Sequence, residues 1–176
     1  MVGTVGVVLA GGRSRRMGAD KGQLLIGETP MLVHMANILI KAGVDEVVLS
    51  GTTAAGFASI ADKTPYAGPA QGMLTVAHPS LHHAERFLFV PVDMPLLNGG
   101  RLQQLLAQQK SCYFGDCFLP CVLYHKNMSA VDPETAAVKH LLAQAGAVAL
   151  TKPDGNPQQF LNINTPEAFA DAVKIL

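Results

Sequence analysis

Several things are missing from this chain, and each absence removes a class of protein. No apolar run approaches the length of a membrane span, so an integral membrane protein is not expected. The N-terminus carries no signal-peptide pattern, and the expected location is the cytoplasm. Charged residues make up only 15% of the chain, and 13 basic residues balance 13 acidic ones. That balance gives no reason to expect a nucleic-acid or membrane-surface partner. Cysteine is scarce and odd in number, with Cys112, Cys117 and Cys121 in one short region. A disulfide framework does not follow from an odd count without an export signal. The spacings match no common zinc pattern, even with His125 as a fourth ligand, so buried free thiols are expected. The histidines are scattered as well. His78 and His82 are four apart, but Pro79 between them breaks any shared helix, and with His83 they read as surface loop residues.

What is present is a hydrophobic content of 49% in 176 residues, enough for one domain with a core of its own. Neither an internal repeat, a low-complexity tract nor a linker divides residues 1–176. Val2 to Ala10 has the unbroken apolar character of a strand buried on both faces, and residues 11 to 29 form a polar, Gly-rich connection. From Pro30, PMLVHMANILIKAG has amphipathic spacing and runs to Gly43. VDEVVLSG and RFLFVPVD read as the second and third strong strands, with loop between them apart from an ambiguous AAGFASIA and the end of a short helix at MLTVAH. A helix is expected from about Gly100 to Gln109, and one or two strands over 111 to 125. A further helix is expected from Pro133 to Ala145 with Asp132 as its N-cap, followed by short strands at AVALT and FLNIN. Thr165 and Pro166 open the last helix, with Glu167 near its positive end. Strands alternating with helices predict a single-domain, doubly wound α/β fold with a mostly parallel sheet.

In such sheets ligands bind beyond the carboxyl ends of the strands, and VGVVLAGGRSRRMGADKGQL leaves the first strand at such an end. Gly11 and Gly12 allow a tight turn and close approach of a ligand. Arg13, Arg15 and Arg16 offer forked donors to phosphate oxygens, and Lys21 a compact charge, against the single acid Asp20. Backbone N–H groups add to this anion nest. The spacing is neither a Walker A loop nor the dinucleotide G-x-G-x-x-G fingerprint, because the glycines fall at 11, 12 and 18. Asp93, at the end of the third strand, falls at this edge either as a capping or turn acid two residues before Pro95 or, should a nucleoside triphosphate bind here, as a ligand of its Mg²⁺, which usually takes one or two protein carboxylates.

LAGGRSRRMGADKGQL resembles the nucleotide-binding loop of the molybdenum cofactor guanylyltransferases, within a nucleotidyltransferase superfamily of Rossmann-like fold. YAGPAQGML is similar to the family's Gly-Pro-x-x-Gly segment, FVPVDMPLL to its Asp-x-Pro strand end, and LNINTPEAF to its Asn-x-Asn-Thr-Pro-Glu terminus. The four segments occur in family order from residue 9 to 169. The resemblance implies transfer of GMP from GTP to the phosphate of molybdenum-bound molybdopterin, with Mg²⁺ at Asp93 and pyrophosphate leaving. It implies Arg16, Lys21 and Asp93 as catalytic residues. Guanine would meet the loop backbone at Leu9, Ala10 and Gly11. Asp62 matches a nucleotide-binding aspartate, or is a solvated loop acid. Asn162 and Asn164 resemble paired asparagines near the acceptor, or brace the turn before the last helix.

This sequence also departs from the family's pattern. Ser50 stands near a family asparagine, Leu119-Pro120 replaces a His-Pro pair, and only Lys139 and His140 are basic on the later helix. Two alternatives therefore stand beside guanylyl transfer: a cytidylyl or sugar-phosphate nucleotidyltransferase, and a degenerate relative that binds nucleotide without turnover. Docking to molybdoenzymes or their chaperones is a family expectation, and a monomer or weak homo-oligomer is expected.

Overall fold

The computed structural model describes residues 2–11, 20–64, 67–80, 83–152 and 155–176. Strand β1 (Val2–Leu9) lies inside the main sheet. A two-stranded hairpin of β2 (Leu25–Ile26) and β3 (Thr29–Pro30) follows, and then helix α1 (Met31–Ala42). Next come β4 (Glu46–Ser50), β5 (Ala58–Ile60), α2 (Pro69–Val76), β6 (Ala84–Pro91) and α3 (Gly99–Leu106). The last part holds β7 (Cys112–Phe114), β8 (Cys117–Tyr124), the short α4 (His125–Met128), α5 (Val138–Gln144), β9 (Val148–Leu150) and α6 (Pro166–Val173).

The main sheet has the order β5-β4-β1-β6-β8-β7-β9. β1 pairs in parallel with both β4 and β6, β4 with β5, and β7 with β9. β8 runs antiparallel to both of its neighbours. The sheet is therefore mostly parallel, as expected, with one reversed strand that brings the β7–β8 turn to the same edge as the carboxyl end of β1.

Alternation along each central strand sorts the core into two layers. Val8, Leu49, Leu88, Val90 and Val122 meet Leu32, Met35 and Leu39 of α1 and Leu102 and Leu105 of α3. Val7, Val48, Phe87, Phe89 and Leu123 meet Met73 and Val76 of α2 and Leu141 and Leu142 of α5. Gly6 keeps the first layer tight, because a Cβ there would stand 3.2 Å from the Leu39 methyls. A small third cluster, Leu96, Ile163 and Ala172, holds the C-terminal segment against the turn after β6.

Most expected elements are present, with four corrections. The stretch 11 to 29 is not all connection: it contains the β2–β3 hairpin, turned at Gly27 with φ of +62°. The helix expected from Pro133 begins only at Val138. The Asp132 carboxylate accepts from Glu134 N at 2.9 Å and caps a turn, not a helix. Gln71 Nε2 donates to the carbonyls of Pro133 and Thr135 at 2.9 and 3.0 Å, so those oxygens serve the contact with α2. FLNIN is not a strand. Its Ile163 N–H donates to Asp93 O at 2.7 Å and its side chain is fully buried, but no ladder forms beside it. Finally, β6 ends at Pro91, and Asp93 stands two residues beyond it, in the following turn.

Cys112 and Cys121 are buried, as expected for free thiols, whereas Cys117 is only half-buried. Burial pushes the Cys112 thiol up to about 11 and raises that of Cys121 as well, so neither is a ready nucleophile. His78 and His83 are exposed, and His82 lies outside the described residues.

The layered core makes a direct prediction for stability. Phe89→Ala, at a fully buried position, should cost about 3–5 kcal/mol in urea denaturation. Ile40→Ser, at a position 53% exposed, should stay within about 0.5 kcal/mol of the wild type.

Candidate active site

The registers bring several loops to one edge. Leu9 is opposite Ser50 of β4 on one side and Pro91 of β6 on the other, and Ser50 in turn is opposite Ile60 of β5. The residues that follow each strand therefore emerge together: Ala10 and Gly11, Gly51, Asp62, and Val92 and Asp93. Two backbone bonds extend the pairing into the loops, Ala10 N to Ser50 O at 3.0 Å and Val92 N to Leu9 O at 3.1 Å. This edge is also where the chain order reverses about β1, the usual place for a ligand crevice. A cleft of about 490 Å³ opens there.

One end of the cleft is built by glycines. Gly51 has φ of +79°, and a Cβ on it would stand 2.5 Å from Gly11 Cα and 2.7 Å from Asp62 Oδ2. A Cβ on Gly11 would collide with the Asp62 carboxylate. Gly72 of α2 comes against the buried Ser50 hydroxyl, which a Cβ would approach to 3.0 Å. Backbone and carboxylate thus meet where no side chain fits. Burial pushes the Asp62 carboxyl above its ordinary value, and the Ser50 hydroxyl, donating at a long 3.4 Å, offsets part of the rise. Asp62 is thus not a fully solvated loop acid.

The middle of the cleft is charged. Asp20 accepts from Gly22 N at 3.0 Å and caps a short 3₁₀ turn, Lys21–Gln23, which carries Lys21 into the cleft. Lys21 Nζ donates to Asp93 Oδ2 at 3.1 Å and to Asn164 Oδ1 at 2.6 Å. Asn162 lines the cleft nearby, and both asparagines flank the buried Ile163 on exposed positions.

The far end is largely apolar. Cys117, Phe118 and Leu119 from β8, Val138 from the start of α5, and Phe160 form its wall, with Asp116 at the β7–β8 turn.

A family model described as the MobA-like NTP transferase domain matches residues 6–156. The chain belongs to this family. The MobA-like domain is a nucleotidyltransferase, and its match covers the glycine corner, Lys21, Asp93 and the β8 and α5 wall, but not Phe160, Asn162, Ile163 or Asn164. A molybdenum cofactor guanylyltransferase of Xanthomonas euvesicatoria pv. vesicatoria is 37% identical over 94% of this chain and 92% of its own. One of Cereibacter sphaeroides is 30% identical over 97% of this chain and 96% of its own. Among solved structures, a nucleotidyl transferase from Methanothermobacter superposes with a TM-score of 0.75 at 14% identity, covering 98% of this chain and 96% of its own. Molybdopterin-guanine dinucleotide biosynthesis protein A from Archaeoglobus fulgidus superposes with a TM-score of 0.72 at 18% identity, covering 97% of each chain. At these identities the superpositions establish a shared fold.

Of the residues singled out from the sequence, Leu9, Ala10, Gly11, Lys21, Ser50, Asp62, Asp93 and Asn162 all line this MobA-like cleft. Asn164 reaches it through Lys21. Gly12, Arg13, Arg15 and Arg16 lie outside the described residues. Lys139 and His140 are exposed and line no part of the cleft, whereas Val138, one residue earlier, does. Sequence reasoning missed Gly51 and most of the apolar wall. Gly51 carries no local signal beyond following a strand, and the wall is assembled from β8, α5 and the segment before Asn162. For Gly72 the signal was present, as the last glycine of the Gly-Pro-x-x-Gly segment.

Two predictions follow from this geometry. Gly51→Ala should destabilise the protein by more than about 1 kcal/mol, because its φ and its neighbours both oppose a side chain. An unchanged urea midpoint would contradict the close packing. The second concerns pH. With the native Asp62 pKa raised, the native state holds more protons than the unfolded chain between the ordinary and the raised value. Stability must therefore fall as pH rises through that window. Asp62→Asn should remove this part of the slope in urea denaturation across pH, so that the variant gains on the wild type from acid to neutral solution.

Proposed function

We propose that this chain transfers GMP from GTP to the terminal phosphate of molybdenum-bound molybdopterin, releasing pyrophosphate and forming a guanine dinucleotide cofactor. The reading is carried by one observation above all. The glycine-built end, Lys21 and Asp93 line one cleft in a chain 37% identical to a molybdenum cofactor guanylyltransferase over nearly its whole length.

The nucleoside sits against the Gly11, Gly51 and Asp62 corner. Leu9, Ala10 and Gly11 present backbone to the base, and Ser50 supports the corner by its bond to Asp62. The triphosphate is assigned to Lys21, which offers it a point charge, and to Arg13 and Arg16, residue types that offer forked donors. The acceptor occupies the other end, its phosphate near Asn162 and Asn164 and its ring system against the Phe118, Leu119 and Val138 wall. An oxygen of the acceptor phosphate attacks the α-phosphorus of GTP, and the bond to the bridging oxygen of the leaving pyrophosphate breaks. The nucleophile is already an anion, so no protein base or nucleophile is needed. The protein's work is to align two anions and offset the charge that builds between them.

The residues present suit a divalent cation of the hard class, Mg²⁺. The ammonium of Lys21 rests between two oxygen donors, the Asp93 carboxylate and the Asn164 amide oxygen, which marks a point of concentrated negative potential. Among the described residues no group of three or more His, Cys, Asp or Glu side chains is arranged to hold a metal. One carboxylate suits Mg²⁺, which keeps waters and takes its remaining ligands from substrate phosphates. When bound, the cation supplies charge neutralisation at the reacting phosphates. Among the described residues no helix is long and apolar enough to cross a membrane.

Incubation with α-labelled GTP or CTP, Mg²⁺ and molybdenum-loaded molybdopterin tests the reading. Labelled dinucleotide from GTP alone is expected. Product from CTP would move the assignment to a cytidylyl enzyme, and nucleotide binding without pyrophosphate release would make the chain a degenerate relative. Asp93→Asn should lower transfer by about 10²- to 10³-fold while melting near the wild-type temperature.

A further inference from the structure

Lys21 turns its side chain into the cleft. Its ammonium is held by groups distant in the chain, 72 residues away at Asp93 and 143 away at Asn164. This is not a loose surface pair, since the two side chains are only 14% and 21% exposed. Its origin is fixed as well. The 3₁₀ turn is capped by Asp20, and Leu24 O at its end accepts from Met31 N of α1 at 2.8 Å. The segment that carries Asn164 is joined to Asp93 independently of Lys21, through the bond from Ile163 N to Asp93 O at 2.7 Å. The ammonium therefore closes a triangle with Asp93 and Asn164, at the end of a four-carbon stem.

We infer that Lys21 couples the two halves of the reaction: it holds Asp93 and Asn164 until a nucleoside triphosphate draws its ammonium away, so that the donor nucleotide opens the cation and acceptor groups. The inference rests on the assignment of Asp93 to the cation and Asn164 to the acceptor. An ammonium and a divalent cation cannot share one carboxylate at contact distance without strong like-charge repulsion. A triphosphate, with several negative charges, outcompetes one carboxylate and one neutral amide for the ammonium. Lysine suits this exchange better than arginine would, because its charge is a compact point on a flexible four-carbon stem. The donor then brings its own cation to a carboxylate that has just been vacated. Without the donor, Lys21 keeps divalent cations off Asp93.

Mn²⁺ binding to the full chain without nucleotide, followed by electron paramagnetic resonance, tests this directly. Lys21→Met should bind Mn²⁺ about tenfold tighter than the wild type, or more. The double variant Lys21→Met with Asp93→Asn should lose that gain. Equal or weaker binding by Lys21→Met, with Asp93→Asn still lowering the affinity, would overturn the coupling and leave the metal assignment standing. Tight binding by the double variant would instead overturn the assignment of Asp93. Circular dichroism and melting accompany each variant, and Lys21→Gln repeats the measurement should Lys21→Met fail to fold.

Discussion

Everything at the cleft depends on β1 being paired in parallel on both sides. Because Leu9 is opposite Ser50 and Pro91 at once, three loops are launched from one line across the sheet. The backbone bonds of Ala10 to Ser50 and of Val92 to Leu9 carry that alignment past the strand ends. The burial of Val7, Val8, Phe87, Phe89, Val48 and Leu49 on two opposite faces keeps the register, since a slip by one residue would exchange the faces of a whole strand. The stability of the core is thus the precision of the site.

On that frame the cleft divides by physical character. Its glycine corner brings backbone and a part-desolvated carboxylate to within distances that no Cβ permits. Its middle is an electrostatic junction in which a single ammonium bridges a carboxylate after β6 and an amide near the C-terminus. Its far wall is apolar and comes from the one reversed strand and the start of α5. A nucleoside, a row of phosphates and a planar heterocycle ask for these three surfaces in that order, which is why the proposed donor and acceptor divide the cleft between them.

The legible parts of the sequence were those governed by local rules. Continuous apolar runs marked β1, β4 and β6. Gly43 marked the end of α1, where its φ of +91° caps the helix, and the Thr165–Pro166 pair marked the start of α6. The carboxyl end of a buried strand followed by glycines and cations located the cleft. Less legible were features decided by tertiary partners. Gln71, from another helix, took the carbonyls of Pro133 and Thr135, and α5 began later than its sequence suggests. FLNIN has strand-like alternation, but Ile163 is held by one bond to Asp93 and a small hydrophobic cluster instead of a sheet neighbour. No local pattern foretells that Lys21 meets Asn164 across 143 residues.

In the proposed reaction the loop after β1, Lys21 and Asp93 form one site for a nucleoside triphosphate and its cation. A crystal structure with a non-hydrolysable GTP analogue and Mg²⁺ tests it most directly. The base is expected in the Gly11, Gly51 and Asp62 corner, the cation on Asp93, and the Lys21 ammonium moved from Asp93 onto the phosphates. A nucleotide bound elsewhere, or bound here with Lys21 still on Asp93 and Asn164, would contradict it.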